Sequence, residues 1–228
     1  MNVPGRQPKK AKAWGVPAVS EPRWPASIAI LVASGIALYL PSQYTLGPHW
    51  LFPAIAVAIL VPLSIAAPHR VASESRLVQA AALSLIGVLM LSNIVSLGRL
   101  IQLLVFEPKN VVGSSLLASA VGIWLTNVIV FALWYWELDR GGPDERLESG
   151  HRSPDFLFPQ MSTPGCAAPN WSPTFLDYLY IAFTNATAFS PTDTLPLSRW
   201  AKVLMLIQST SSLLTVTLVA ARAVNILT

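Results

Sequence analysis

The residues best equipped for chemistry lie in the C-terminal half of the chain. Within residues 183–196 (FTNATAFSPTDTLP), Thr187, Ser190, Thr192 and Asp193 supply hydroxyl and carboxylate oxygens in one short stretch. Such oxygens can replace the water shell of a small cation. Further along, Gln208 and Thr215 share a helical face with Ser212, so they either line a watery path or hydrogen-bond to neighbouring helices. A second set is ionisable: Arg99, Glu137, Asp139, Arg140, Asp177 and Arg222. Charges in a membrane usually face the protein interior, where they act as gating or proton-handling groups. Plainer readings stand beside these. Arg99 snorkels from near a helix end, and Glu137 pairs with Arg140 on the helix surface as an interfacial anchor.

Other chemistry finds few residues to carry it. One cysteine, Cys166, and three histidines, His49, His69 and His151, give no basis for a thiolate zinc site, a disulfide within one chain or an iron–sulfur cluster. There is no phosphate-cradling glycine loop and no nucleophile with a matching base. We therefore expect no enzymatic activity, no catalytic residue, no metal site and no cofactor, and no nucleic-acid partner.

The elements that must position these groups are membrane helices. Of the 228 residues, 53% are apolar and only 11% charged, with a mean hydropathy of +0.54. Soluble domains carry roughly 25% charged residues. Residues 26–40 and 50–67 read as a helical hairpin, its second arm kinked near Pro62. Residues 77–106 form a third span with Asn93, Ser96, Arg99 and Gln102 along one face, and 115–136 a fourth, stopped by Gly141-Gly142-Pro143. A polar loop, 141–173, follows; its apolar patch Phe156 to Phe158 either docks on the membrane surface or caps the bundle. Residues 175–189 are too short to span and suit a re-entrant or interfacial half-helix, and 198–227 form the last span. The expectation is an all-α polytopic membrane helix bundle of about five transmembrane helices plus that short helix. It forms a single domain, 26–228, behind a disordered basic arm, 1–25.

Charge orients the bundle. Arg6, Lys9, Lys10, Lys12 and Arg23 precede the first span, and Arg70, Arg76, Arg140, Arg146 and Arg152 fall on the same side, leaving Lys109 on the other. The positive-inside rule puts the N-terminus in the cytoplasm.

Two resemblances extend this reading. The order of full span, loop, half-helix, Thr-rich break and polar span, with Asp177 ahead of 183–196, resembles the pore module of tetrameric potassium-type channels over roughly a quarter of the chain. In that register Thr187 takes the place of the helix-end threonine, Asp193 of the aspartate after the filter, and Pro196 of the following proline. The filter positions would be Phe189, Ser190, Pro191 and Thr192, which lack the glycines that stacked carbonyl rings require. The resemblance thus implies a degenerate filter without potassium selectivity, and the charge rule places it on the cytoplasmic side, whereas potassium-type filters face outward. Residues 124–226 also resemble an uncharacterised family of bacterial integral membrane proteins. That likeness rests on Trp124 with Asn127, the run FALWYWELDRGG at 131–142, Asp177-Tyr178 with Tyr180, Phe183-Thr184, Ser190 with Asp193, Arg199, and Val224-Asn225-Ile226. It implies a multi-pass protein of the bacterial cytoplasmic membrane and no particular activity.

Three functions follow as expectations. The first is an oligomeric, channel-like ion-permeation protein, its partners the lipid bilayer, further copies of itself and a small cation. The second is a small proton-coupled carrier. The third is a non-transporting accessory membrane protein whose polar residues only hold helices together.

Overall fold

Each long apolar run becomes a helix. The computed structural model describes residues 21–45, 47–66, 76–106, 113–143, 145–147, 153–163, 165, 171–187 and 193–227. Helix α1 spans Trp24–Tyr39, α2 Leu51–Ala66, α3 Arg76–Phe106 and α4 Gly113–Leu138; after the short α5, Pro159–Ser162, come α6, Phe175–Thr187, and α7, Arg199–Leu227. The expected basic arm lies outside the described residues, apart from its last few positions. Segments Leu77–Phe106, Ser115–Gly141 and Arg199–Ala221 are long and apolar enough to cross a membrane, whereas α1 and α2 are shorter, at 16 residues each. At 1.5 Å per residue, 16 residues reach about 24 Å.

Local chemistry sets the boundaries. Pro25 opens α1, where a missing N–H costs nothing, and Pro41 closes it by forcing Leu40 into an extended conformation (ψ 130°). Helix α2 continues through Pro62. At the end of α4 the backbone turns left-handed over three residues, Arg140 (φ 59°), Gly141 (φ 91°) and Gly142 (φ 116°). Glycine tolerates this conformation and arginine does not, so Arg140 must be held there. Thr174 starts α6: its backbone N–H and its hydroxyl both donate to the Asp177 carboxylate, at 2.7 and 2.9 Å. This is one half of a capping box, the back-reaching carboxylate, with aspartate in place of the usual glutamate. Asp177, a candidate gating group by sequence, is thereby placed at a helix start.

Helix α4 is the hub, packing against α1, α3, α6 and α7. At one end of the bundle, which we call the near end, Glu21 accepts hydrogen bonds from Trp136 Nε1 (2.9 Å) and from the Phe175 backbone N–H (2.7 Å), while Gln79 donates to the Gly141 carbonyl (3.2 Å). The far end is an apolar cluster in which Leu40, Tyr44, Leu100, Leu116 and Val219 join. Between them Asn93 donates to the Ile123 carbonyl at 2.8 Å, so this member of the polar stripe on α3 faces α4, while Gln102 is exposed. Apolar side chains point outward from α1, α3 and α7, among them Leu31, Leu91, Ile94, Leu206 and Val216.

The polar loop carries more structure than its composition suggests. Phe156–Leu157 forms β1 and pairs antiparallel with β2, Leu195–Pro196, so the all-α bundle includes a two-residue ladder. Phe156 and Phe158 are buried, stacking edge-on against Tyr178, Trp200 and Trp171. Of the two roles expected for this patch, it caps the bundle.

Candidate functional site

Two polar layers lie one above the other inside the bundle. The first is at the near end and centres on Asp139, which has no exposed surface. Its Oδ2 accepts from Arg140 Nε (3.1 Å) and from the Tyr178 hydroxyl (2.6 Å); its Oδ1 accepts from the backbone N–H groups of Asp155 (2.8 Å) and Phe156 (3.4 Å). Four donors fill the four lone-pair positions of an ionised carboxylate. Asp155 is held in return: its Oδ2 accepts the Arg140 N–H (2.9 Å) and its Oδ1 the Trp200 indole N–H (2.9 Å). Arg146, also buried, donates to the carbonyls of Trp136 (2.7 Å) and Asp139 (3.1 Å) and stacks over the Tyr178 ring, 5.3 Å from its centroid. A cation on the last carbonyls of α4 offsets the negative end of the helix dipole.

Burial pushes the Tyr178 phenol well above its ordinary pKa; Arg146 pulls it back in part, and Asp139 raises it further. The hydroxyl therefore stays protonated and remains a donor. The cluster thus ties the end of α4, the loop at 153–158, the first turns of α6 and the start of α7 into one unit.

The second layer is at mid-depth. Gln208 Oε1 accepts from both the Tyr135 hydroxyl (2.6 Å) and Asn185 Nδ2 (2.8 Å), while Gln208 Nε2 donates to the Ala182 carbonyl (2.8 Å). Asn185 also donates to the Met205 carbonyl (3.0 Å), and Ser209 donates to Asn185 Oδ1 (3.0 Å). One level deeper, Ser212 donates to Asn127 at 3.4 Å. Helices α4, α6 and α7 are thereby laced together.

The residues singled out by sequence distribute as follows. Glu137, Asp139 and Arg140 are buried, not at a helix surface, and an ion pair joins Arg140 to Asp139, correcting the expected surface arrangement. Gln208 is engaged with its own chain's helices, and Thr215 donates to the Ser211 carbonyl one turn back. Arg99 is half-buried and donates to Gln102 at 3.2 Å. Thr187 is exposed at the tip of α6, donating back to the Phe183 carbonyl (3.0 Å), and Asp193 is exposed. Ser190, Thr192 and the Arg222 side chain lie outside the described residues.

Sequence reasoning missed Tyr178, Arg146, Asp155, Trp200 and Asn185 as members of these layers. The available signal was Tyr178 next to Asp177 on a short helix, one turn from a start. Nothing in the chain's order announces that Asp155 meets Arg140. Comparison with family models, with curated proteins and with solved structures finds no match for this chain.

Proposed function

We propose that the chain is a five-crossing membrane protein whose residues 113–227 form a pore-type module, permeable to small cations when several copies assemble. One observation carries the reading. Helix α6 begins at the near end beside Trp136, runs antiparallel to α4 as far as the level of Trp124, Asn127 and Gln208, and the chain is back at the near end by Leu195. A half-helix that stops at mid-depth aims the negative end of its dipole at the middle of the bundle, which favours a cation there. Thr187 crowns that tip and Asp193 follows on the return, with Ser190 and Thr192 between them in sequence. One half-helix cannot enclose an axis, so permeation requires an oligomer. On this reading Gln208 and Thr215 brace the module and the lining falls to Thr187, Ser190, Thr192 and Asp193. The near end carries Arg140, Arg146, Arg199 and Lys202, which favours the cytoplasmic side for it and for the N-terminus.

The mid-depth lacing favours a second reading, an accessory protein whose polar groups serve only helix packing. A proton-coupled carrier has less support, because all four acceptor positions of the Asp139 carboxylate are taken by donors. The deciding experiment is cation flux from liposomes containing the purified protein. Flux that falls on Asp193→Ala supports permeation; no flux, or flux indifferent to Asp193→Ala and Thr187→Ala, rejects it.

A further inference from the structure

Helices α3 and α7 come together toward the far end, where Leu97, Leu103 and Val219 join one cluster, and part toward the near end. The gap is a cavity of about 900 Å³ with α4 at its back. Its inner wall is apolar, formed by Met90, Trp134, Val203 and Leu204, and its outer end is polar, with Gln79, Glu145, Asp155 and Arg199. The volume is that of a small-molecule site. All three bounding helices are long and apolar enough to cross a membrane, so the inner part lies at acyl-chain depth. Ordered water needs two or more polar partners, and such a wall offers few.

The order of chemistry along the cavity, apolar then charged, is that of a phospholipid, and the charges narrow the headgroup. The Asp155 carboxylate is already occupied by the Arg140 N–H and the Trp200 indole. Arg199 is exposed at the start of α7, and Glu145, also exposed, presents the opposite charge. Among the described residues of the lining, two carboxylates against one guanidinium disfavour an anionic headgroup. A zwitterion with a hydrogen-bonding ammonium complements both signs, and a carboxylate has room for several donors. We propose that this cavity seats a zwitterionic phospholipid with a primary ammonium, its phosphate against Arg199, its ammonium against Glu145 and an acyl chain along Met90 and Leu204. The site does not depend on permeation.

The test uses the full chain purified in mild detergent and exposed to equal amounts of phosphatidylethanolamine, phosphatidylcholine and phosphatidylglycerol, with bound lipid read by native mass spectrometry. The expected result is retention of phosphatidylethanolamine about tenfold above the other two, equivalent to about 1.4 kcal/mol. Glu145→Gln, which removes the ammonium's partner, and Val203→Trp, which fills the cavity, each abolish that preference, whereas Arg199→Gln, which removes the phosphate's partner, lowers retention of all three lipids. Leu213→Trp, on the exposed part of α7 outside the cavity, preserves it. Equal retention of the three lipids, preference for phosphatidylglycerol, or a preference that survives Val203→Trp overturns the proposal. Should Val203→Trp fail to fold, Glu145→Gln at its exposed position decides alone: retained preference refutes the site and lost preference supports it.

Discussion

Asp139 and Asp155 hold each other through reciprocal hydrogen bonds. The backbone N–H of Asp155 donates to the Asp139 carboxylate at 2.8 Å, and the N–H of Arg140, next to Asp139, donates to the Asp155 carboxylate at 2.9 Å. Two acidic residues approach because neither faces the other's charge: each carboxylate faces a backbone donor, with Arg140 Nε and the Trp200 indole completing the clasp. The clasp also holds Arg140 in its left-handed conformation from two sides, through its N–H on Asp155 and its Nε on Asp139.

Removing one partner of a buried ion pair costs about 3–5 kcal/mol, because the survivor keeps its charge without compensation. Asp139→Ala, which strands Arg140 and takes the acceptor from Tyr178 and from Asp155, should lower stability by that amount. Thermal unfolding in detergent measures it. A loss below about 1 kcal/mol, the scale of an exposed pair, would mean the clasp contributes no more than a surface bridge.

Tyr178 gives the same cluster a pH signature. Its folded pKa is raised by burial, above an unfolded value of about 10. A raised folded value means that the unfolded chain loses its proton first, so the stabilisation is whole below about pH 10 and disappears as pH climbs through the folded value. Unfolding midpoints of wild type and Tyr178→Phe, followed from pH 8 upward, should show the wild type falling more steeply above about pH 10. Parallel curves would place the phenol in water and contradict its burial.

Much of this architecture was readable in the chain, and the reason is physical. Helices α1 to α4, α6 and α7 follow apolar runs bounded by Pro41, Gly141-Gly142 and Ser198, because membrane helices satisfy their own backbone and need only length and greasiness to be recognised. The half-helix was legible from the shortness of residues 175–189. The site was less so. Asp139 and Arg140 stood out as charges at a helix end, but their burial depends on a loop that folds back over them, through Phe156 and Phe158. Loop 141–173 looked polar; its Arg146 counted toward topology only, and its Asp155 was given no role. Pairings such as Tyr135 with Gln208, 73 positions apart, are set by how helices rotate against one another, and helix periodicity does not fix that.

Gln208 is a second place where one side chain serves several helices. Gln208→Leu keeps the bulk and removes the acceptor shared by Tyr135 and Asn185. A buried polar group left without its partner costs about 1–3 kcal/mol. Gln208→Leu should therefore destabilise the protein by at least that amount, whereas Leu206→Met on the exposed, apolar side of α7 should change little. Unfolding measurements on both variants check the contrast. An unaffected Gln208→Leu would indicate that the face of α7 turned toward α4 is wet, and would return Gln208 to the pore-lining set.

The side of the membrane occupied by the near end can be read with the sole cysteine. Cys166 lies outside the described residues, but it falls between Phe158 and Trp171, whose rings meet at 5.7 Å beside Tyr178 at the near end. A membrane-impermeant maleimide applied to cells should label it only after permeabilisation, because the basic residues favour a cytoplasmic near end. Labelling of intact cells would turn the bundle over. The half-helix and Asp193 would then enter from outside, as potassium-type filters do, and the charge bias of the connecting segments would need another cause.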